Sequence, residues 1–359
     1  MTWLDPFVRR LGIPSLLLCA LVAAAPVSAQ DEEEEDTPTG PPVLFDSHDV
    51  IELTMEADFR GLKGDRSQEE EERPGIVRVR NGDGTEVELE IQVRTRGNFR
   101  LRRGTCEFPP LRLNFKKRQV EGTVFQGQDR IKLVDHCRDR DDYEQRVIKE
   151  YLIYRMYGLF TDVSFQVRPA RITYVDTSGG DEPVTRFAFF LEHEDNLGER
   201  LGGMMLDVPQ VSPDAYDGHF AARLAVFQFM IGNTDWSMVQ FHNVNLIRHA
   251  DGRHLPVPYD MDWSGLVNAP YARPDASLGI RRVTDRVYRG FCRPDVDFPA
   301  IYQEFVQRRD AIFGLLNETG LLAPDVRADA AKYLDQFFEV IGSERRARRE
   351  IESACRAAN

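Results

Sequence analysis

The residues best suited to chemistry in this 359-residue sequence are three carboxylates and one amide. Asp235 follows an apolar run, Asn243 comes eight residues later, and Asp260 and Asp262 follow a second apolar run. Phosphoryl transfer uses such a set: one carboxylate orients the attacking hydroxyl, while an amide oxygen and a second carboxylate hold Mg²⁺ against the nucleotide phosphates. The spacing therefore indicates metal-assisted phosphoryl transfer as one chemistry that this segment can support.

Regular elements are predicted on either side of these residues. An apolar helix is predicted to end at Gly232, so that a polar loop presents Asp235. Asn243 opens a short strand, and the dipeptide Asp251-Gly252 predicts a turn into a second strand. The second strand would deliver the last two carboxylates to the same region.

The segments Phe241-His-Asn-Val-Asn and Pro258-Tyr-Asp-Met-Asp resemble the catalytic region of the spore coat protein H (CotH) family of atypical secretory kinases. In that family an Asp is followed by a His-Asn pair, a short strand and a Trp/Tyr-Asp-x-Asp sequence. A more distant resemblance, to the HipA-type kinases, rests on Asn233-Thr-Asp235, Asn243 and Tyr259-Asp260.

The CotH resemblance implies a role for each of these residues, with ATP as phosphate donor and an exported protein hydroxyl as acceptor. Asp235 would be the catalytic residue. Asn243 and Asp260 would be the ligands of Mg²⁺ or Mn²⁺, and Asp262 an alternative or second carboxylate.

Three upstream segments carry the same resemblance and imply contacts with the nucleotide. Arg96-Gly97-Asn98 resembles an N-lobe turn, Ile131-Lys132-Leu133 a strand bearing a phosphate-contacting lysine, and the strand ending at Glu192 a hinge. The resemblance thus implies Arg96, Lys132 and Glu192 as cofactor-binding residues.

A kinase-like lobe pairs its lysine with a helix glutamate, and the helix predicted over residues 142–158 offers two. At 100° per residue, Glu144 falls within the apolar arc, whereas Glu150 points nearly opposite. We therefore expect Glu144 to be the partner.

The order of predicted elements indicates an α+β fold. Alternating strands fill residues 43–135, and further strands follow the 142–158 helix at 170–175 and 185–191. Helices dominate afterwards, at 214–231, 298–316, 324–341 and from Ser343. This order, with the resemblance, predicts a two-lobed atypical protein-kinase-like fold with a strand-rich N-lobe (43–212) and a helical C-lobe (213–359).

The N-terminus predicts export. Arg9 and Arg10 precede an apolar stretch that ends in the cleavage-type sequence Val27-Ser-Ala29. Residues 1–29 are therefore predicted to be a signal peptide, and residues 30–42 a disordered acidic linker, which places the protein in a secreted or periplasmic location. No later stretch approaches the roughly 20 apolar residues of a membrane span.

Charge and cysteines narrow the function classes. A formal net charge of −13 argues against nucleic acid as a partner. Beyond the predicted signal peptide, four cysteines allow three pairings. Cys106–Cys137 with Cys292–Cys355 is favoured, because each pair stays within one half of the chain. The sequence contains neither C-x-x-C nor H-E-x-x-H, the motifs that would indicate a zinc site.

Other functions remain open from the sequence. Transfer of AMP instead of phosphate uses the same residues. A non-catalytic envelope or coat-associated binding protein on a kinase-like scaffold is favoured by the lack of a G-x-G-x-x-G loop, since only Gly97 offers a turn. A glycoside hydrolase using Asp235 and Asp260 ranks last, because Lys132 and Asn243 would then have no role.

Overall fold

The computed structural model describes residues 41–67, 71–102, 104–318 and 320–357. The predicted signal peptide, and the predicted linker as far as residue 40, lie outside these ranges. The described residues form both helices and strands, which confirms the α+β class.

Seven strands close into a barrel in the spatial order β1-β2-β3-β4-β5-β7-β6. They are β1 (Ile51–Ala57), β2 (Arg73–Arg80), β3 (Glu86–Thr95), β4 (Leu111–Phe115), β5 (Arg130–Val134), β6 (Val167–Asp176) and β7 (Val184–Leu191). Parallel pairing of β1 with β6 completes the barrel, and the other neighbours are antiparallel. Alternation in the sequence predicted the strands but not this closure, because it reports only the face that each side chain takes.

Helices and a small sheet make up the rest of the described chain. The helices are α1 (Phe59–Gly64), α2 (Asp141–Gly158), α3 (Glu194–Arg200), α4 (Gly218–Ile231), α5 (Phe298–Glu318), α6 (Pro324–Ile341) and α7 (Glu344–Glu350). The sheet has the order β10-β9-β8, with β8 (Gly203–Met205), β9 (Val244–His249) and β10 (His254–Pro258). The hairpin predicted around Asp251-Gly252 is confirmed as β9 and β10.

Helix α2 lies between the barrel and the helices that follow. Its Tyr151 packs against Phe187 of β7, and its Tyr157 packs against Phe227 of α4. The helix therefore belongs to the larger of the two principal hydrophobic cores, while the barrel interior forms the other. Because α2 packs against the barrel on one side and against α4 on the other, its polar side chains can reach a site between the barrel and the later helices.

Within the described ranges, no helix is both long enough and apolar enough to cross a bilayer.

Both favoured cysteine pairings are confirmed. Cys106 is bonded to Cys137, and Cys292 to Cys355, with Cα–Cα distances of 4.6 and 4.9 Å. The first bridge ties the loop after β3 to the segment after β5, and Phe108 N–H donates to Cys137 O across the same junction (2.9 Å). Two disulfides fit an oxidising compartment.

Reduction of the bridges is expected to destabilise the fold. The bonded cysteines are 31 and 63 residues apart, and closing loops of that size is worth about 2–4 kcal/mol per bridge. Urea unfolding with and without dithiothreitol measures the loss. Four free thiols titrated in the native, non-reduced protein would contradict this prediction.

Candidate active site

The loop that carries Asp235 is fixed by the end of α4. Gly232 has a φ of 65°, which favours glycine, and a Cβ atom there would lie 2.0 Å from the Tyr333 hydroxyl, so any other residue would also displace the Tyr333 side chain. Asp235 N–H then donates to Asn233 Oδ1 (3.0 Å), and Trp236 Nε1 donates to Asn233 O (3.1 Å). These bonds set the direction in which Asp235 leaves the helix end.

Asp235 and Asn243 lie in direct contact. Asn243 Nδ2 donates to the backbone oxygen (2.8 Å) and to Oδ2 (3.0 Å) of Asp235, and His242 Nε2 lies 2.8 Å from Asp235 Oδ1. A β-bridge between Ser237 and His242 holds the intervening loop. Since Nδ2 faces Asp235, the Oδ1 atom of the planar amide points the other way, as a metal ligand would need.

Backbone conformation singles out the same region. Phe241, Asn243 and Asp260 have φ values of 52°, 51° and 55°, which non-glycine residues seldom adopt. Such conformations cluster at functional sites, where surrounding contacts hold them. Here Tyr259 N–H donates to Asn243 O (3.0 Å), and Asp260 N–H donates to the Tyr154 hydroxyl of α2 (2.9 Å). The two chemistry-bearing segments are thereby fastened to each other and to α2.

Two buried acids, Asp262 and Glu150, lie close enough to the exposed Asp260 for their charges to interact. Asp262 is 4% exposed and Glu150 3% exposed. Burial and repulsion from Asp260 raise the pKa of Asp262, and burial together with repulsion from Asp262 and Asp260 raises the pKa of Glu150. The Tyr271 hydroxyl donates to Asp262 Oδ2 (2.7 Å). Crowded carboxylates of this kind bind protons or cations readily.

Two arginines from the loop after β3 face this acidic group. Arg96 donates to Leu111 O (3.1 Å), and its charge interacts with those of Asp260 and Glu150. Arg100 donates to Asp135 O (2.9 Å) and Oδ1 (3.2 Å). The resemblance implied Arg96 but gave no signal for Arg100, whose position follows from the loop geometry.

Aromatic contacts hold that loop over the acids. The Phe99 ring lies 4.9 Å from Trp263 and 6.0 Å from Tyr271, measured between centroids. The barrel loop and the segment after β10 therefore enclose Asp262 between them.

Lys132 reaches the edge of the same site. Its ammonium group is paired with Glu194 of α3 and lies 5.6 Å from the ring centroid of Tyr259, the neighbour of Asp260. Burial lowers the pKa of Lys132, and the Glu194 charge opposes that effect. Glu194, which the sequence did not single out for this pairing, is thus the partner of Lys132.

Glu192 lies in a structural ion pair. Arg200 donates to both of its carboxylate oxygens (2.8 and 2.9 Å), and Gln166 N–H donates to Oε2 (3.0 Å). These contacts hold the end of β7 to α3 and occupy the carboxylate that the resemblance implied for the nucleotide.

Both glutamates of α2 are buried, whereas the helical arc predicted burial of Glu144 alone. Glu144 accepts hydrogen bonds from Arg186 (3.0 Å), Arg171 (3.4 Å) and Phe187 N–H (3.3 Å), while Glu150 lies among the acids. The expectation that Glu150 points away from the protein interior is wrong. A single-face argument fails because α2 has two buried faces.

A polar clamp joins α2 to the loop after Asp262. Lys149 Nζ donates to Leu266 O (2.7 Å) and Val267 O (2.6 Å), and Arg146 donates to Val267 O (3.3 Å) and Asn268 O (2.7 Å). Burial, with a contribution from Arg146, lowers the pKa of Lys149 to about 7. A neutral amine keeps two N–H groups, so both of its hydrogen bonds survive deprotonation.

Stability is therefore expected to rise with pH above neutrality. An unfolded lysine titrates near pH ~10.4. Between the two pKa values the unfolded chain binds more protons, so the free energy of unfolding increases with pH, by at most about 1.4 kcal/mol per unit. Urea unfolding from pH 7 to 10 should show this rise in the free energy of unfolding with pH. The rise should be smaller in Lys149→Met and unchanged in Lys332→Met, the control at an exposed lysine. Equal slopes in both variants would refute the assignment.

The oxygen atoms near Asp260 are of the kind that a divalent cation prefers. In the ranges described, no group of three or more His, Cys, Asp or Glu side chains is already arranged around a metal position. Asp260 and Asp262 with the amide oxygen of Asn243 supply the hard oxygen donors that Mg²⁺ and Mn²⁺ prefer. These residues fit such an ion as a partial ligand set, which phosphate oxygens and water would complete.

No protein-family model matches the chain, and no curated protein matches it.

Proposed function

We propose that this chain is an exported, CotH-like atypical kinase that transfers phosphate from ATP to protein hydroxyls. The observation that carries the proposal is the contact of Asp235 with Asn243, next to the strained Asp260. Hydrolysis by paired carboxylates would need neither the amide nor the nearby Lys132. The two-lobed kinase-like arrangement, with the barrel as N-lobe, is part of the same proposal.

In this proposal Asp235 orients the acceptor hydroxyl and takes its proton. Its Oδ2 is held by Asn243 and its Oδ1 by His242, so the carboxylate has one fixed orientation. Mg²⁺ or Mn²⁺, when bound, would neutralise charge on the phosphates and bridge them to the protein. Asn243, Asp260 and Asp262 would hold that ion.

The basic residues would hold the phosphates. Arg96 and Lys132 approach the acidic group from the barrel, and their charges interact with each other. Lys132 would exchange its contact with Glu194 for phosphate. Glu150 takes the place that the sequence gave to Glu144, as the α2 carboxylate facing Arg96.

A second candidate is a kinase-like binding protein without turnover. It is favoured by the loop at Gly97, where a single glycine with a φ of 87° stands in an otherwise ordinary turn. A Cβ atom at Gly97 would meet nothing within 4 Å, so the turn does not pack closely on protein. Export would apply to both candidates and is supported by the two disulfides.

The glutamates of α2 provide an experiment that distinguishes the site from the scaffold. Glu150→Gln should lower phosphate transfer from ATP to a generic protein substrate by about 10- to 100-fold, as loss of a supporting group does. Glu144→Gln breaks ion pairs at the barrel surface and should lower stability while keeping transfer per folded molecule. Transfer is measured with labelled ATP, and the stability of each variant is measured in parallel as the midpoint of urea unfolding. If Glu144→Gln lowers transfer more than Glu150→Gln does, Glu144 and not Glu150 is the α2 carboxylate of the site. If the unmodified protein transfers no phosphate, the second candidate, a binding protein without turnover, is favoured.

A further inference from the structure

A cavity of about 610 Å³ opens between α1, the end of β6 and the segment after β5. Its volume is typical of small-molecule sites. Four rings lie along it, Phe59, Phe108, His136 and Tyr174, and neighbouring ring centroids are between 4.5 and 5.6 Å apart. None of these residues has a role in the proposed phosphate transfer.

Two polar atoms in this lining are buried without a partner. His136 is 2% and Tyr174 4% exposed, and neither His136 Nδ1 nor the Tyr174 hydroxyl has a hydrogen-bond partner within the described ranges. Burial lowers the pKa of His136 to about 3 and raises that of Tyr174 well above its usual value, so both groups are neutral. Unpaired buried groups are costly and rare in folded proteins. A ligand hydroxyl is suited to them, since it accepts from a phenol and donates to an imidazole nitrogen.

The rim of the cavity carries an excess of negative charge. Five carboxylates and two cations line the opening: Glu107, Asp139, Asp176, Asp181, Glu182, Arg60 and Lys63. Three of the carboxylates are ion-paired, Asp181 with Lys63, Glu107 with Arg138 (3.1 Å) and Asp139 with Arg186 (2.6 Å). Asp176 instead accepts hydrogen bonds from the Ser178 hydroxyl and from the backbone N–H groups of Gly180 (3.0 Å) and Arg60 (3.1 Å), which lower its pKa against the effect of burial and keep it ionised. Asp176 and Glu182 therefore supply the negative charge that the rim has in excess. An ammonium group is the complement of this rim.

We propose that this cavity binds a phenolic amine. The aromatic ring of the ligand would pack on Phe59 and Phe108, its hydroxyl would bond His136 and Tyr174, and its ammonium group would lie beside Asp176 and Glu182. The site is separate from the proposed phosphate-transfer site and needs neither nucleotide nor metal.

Calorimetry of the purified, oxidised full chain with tyramine tests this site. Tyramine should bind saturably, and phenethylamine, which lacks the hydroxyl, should bind about 10- to 100-fold more weakly, the loss expected for two hydrogen bonds. 3-(4-Hydroxyphenyl)propionate, which carries the opposite charge, should bind more weakly still. No binding of tyramine at millimolar concentration, or equal binding of all three compounds, would overturn the proposal.

Phenylalanine variants test the two polar atoms. Tyr174→Phe and His136→Phe should each reduce the preference for tyramine over phenethylamine to about tenfold or less, because each variant leaves only one of the two hydrogen bonds to the hydroxyl. Tyr174→Phe should leave the urea midpoint unchanged or raised, because it deletes an unpaired buried hydroxyl; a lowered midpoint would overturn the premise. Tyr288→Phe is the matched control: its hydroxyl is equally buried and also without a partner within the described ranges, but Tyr288 packs on Phe229 and Phe298 in the larger core. A loss of preference in this control would also overturn the proposal.

Discussion

Asp235→Ala is expected to abolish phosphate transfer while leaving nucleotide binding intact. Asp235 accepts hydrogen bonds from Asn243, and in the proposed function its carboxylate orients the acceptor hydroxyl and takes its proton. Loss of a general base costs about 10²- to 10⁴-fold in rate. The measurement is labelled-phosphate transfer at saturating ATP, alongside a nucleotide titration of the same preparation.

Two companion variants make that result interpretable. Asp235→Asn keeps the shape of the side chain, so it should be as inactive as the alanine variant if the charge is what matters. Asp310→Ala, at an exposed position of α5, should transfer at the unmodified rate. Full transfer by Asp235→Asn would show that Asp235 serves only to hold the loop.

Asp260→Asn is expected to remove metal-dependent nucleotide binding. Asparagine tolerates the left-handed φ of 55° found at this position, whereas alanine would add backbone strain to the loss of charge. Changes beside a metal ligand already cost 10- to 100-fold in affinity, so loss of a ligand should cost about 100-fold or more. The electron paramagnetic resonance signal of free Mn²⁺ measures this loss, because Mn²⁺ that is bound by the protein with ATP no longer contributes to the signal.

A stability control accompanies that variant. Removing one charge from the group formed with Glu150 and Asp262 relieves repulsion, so Asp260→Asn should unfold at the same or a higher urea concentration. Unchanged Mn²⁺ binding in a stably folded Asp260→Asn protein would exclude Asp260 as a ligand.

Local pattern predicted the elements and the central segment well. The β9–β10 hairpin follows from its turn residues, and the end of α4 follows from Gly232, whose φ of 65° favours glycine. Asp235 and Asn243 were expected together, and the Ser237–His242 bridge explains how eight residues of separation bring them into contact.

Features that depend on long-range packing were not predictable. The burial of Glu150 was not predicted, because the sequence gives no sign that α2 is buried on two faces. Barrel closure depends on pairing β1 with β6, more than a hundred residues later, and strand alternation carries no information on partners. Arg100 is positioned by its hydrogen bonds to Asp135, 35 residues later in the chain.

The most direct test of the proposed function is calorimetry of the unmodified protein with ATP, in the presence of Mg²⁺ or Mn²⁺ and again with a chelator. The proposal predicts saturable ATP binding that disappears when the metal is removed, because Asn243, Asp260 and Asp262 would hold the ion that joins ATP to the protein. No binding at millimolar ATP with either metal would contradict it.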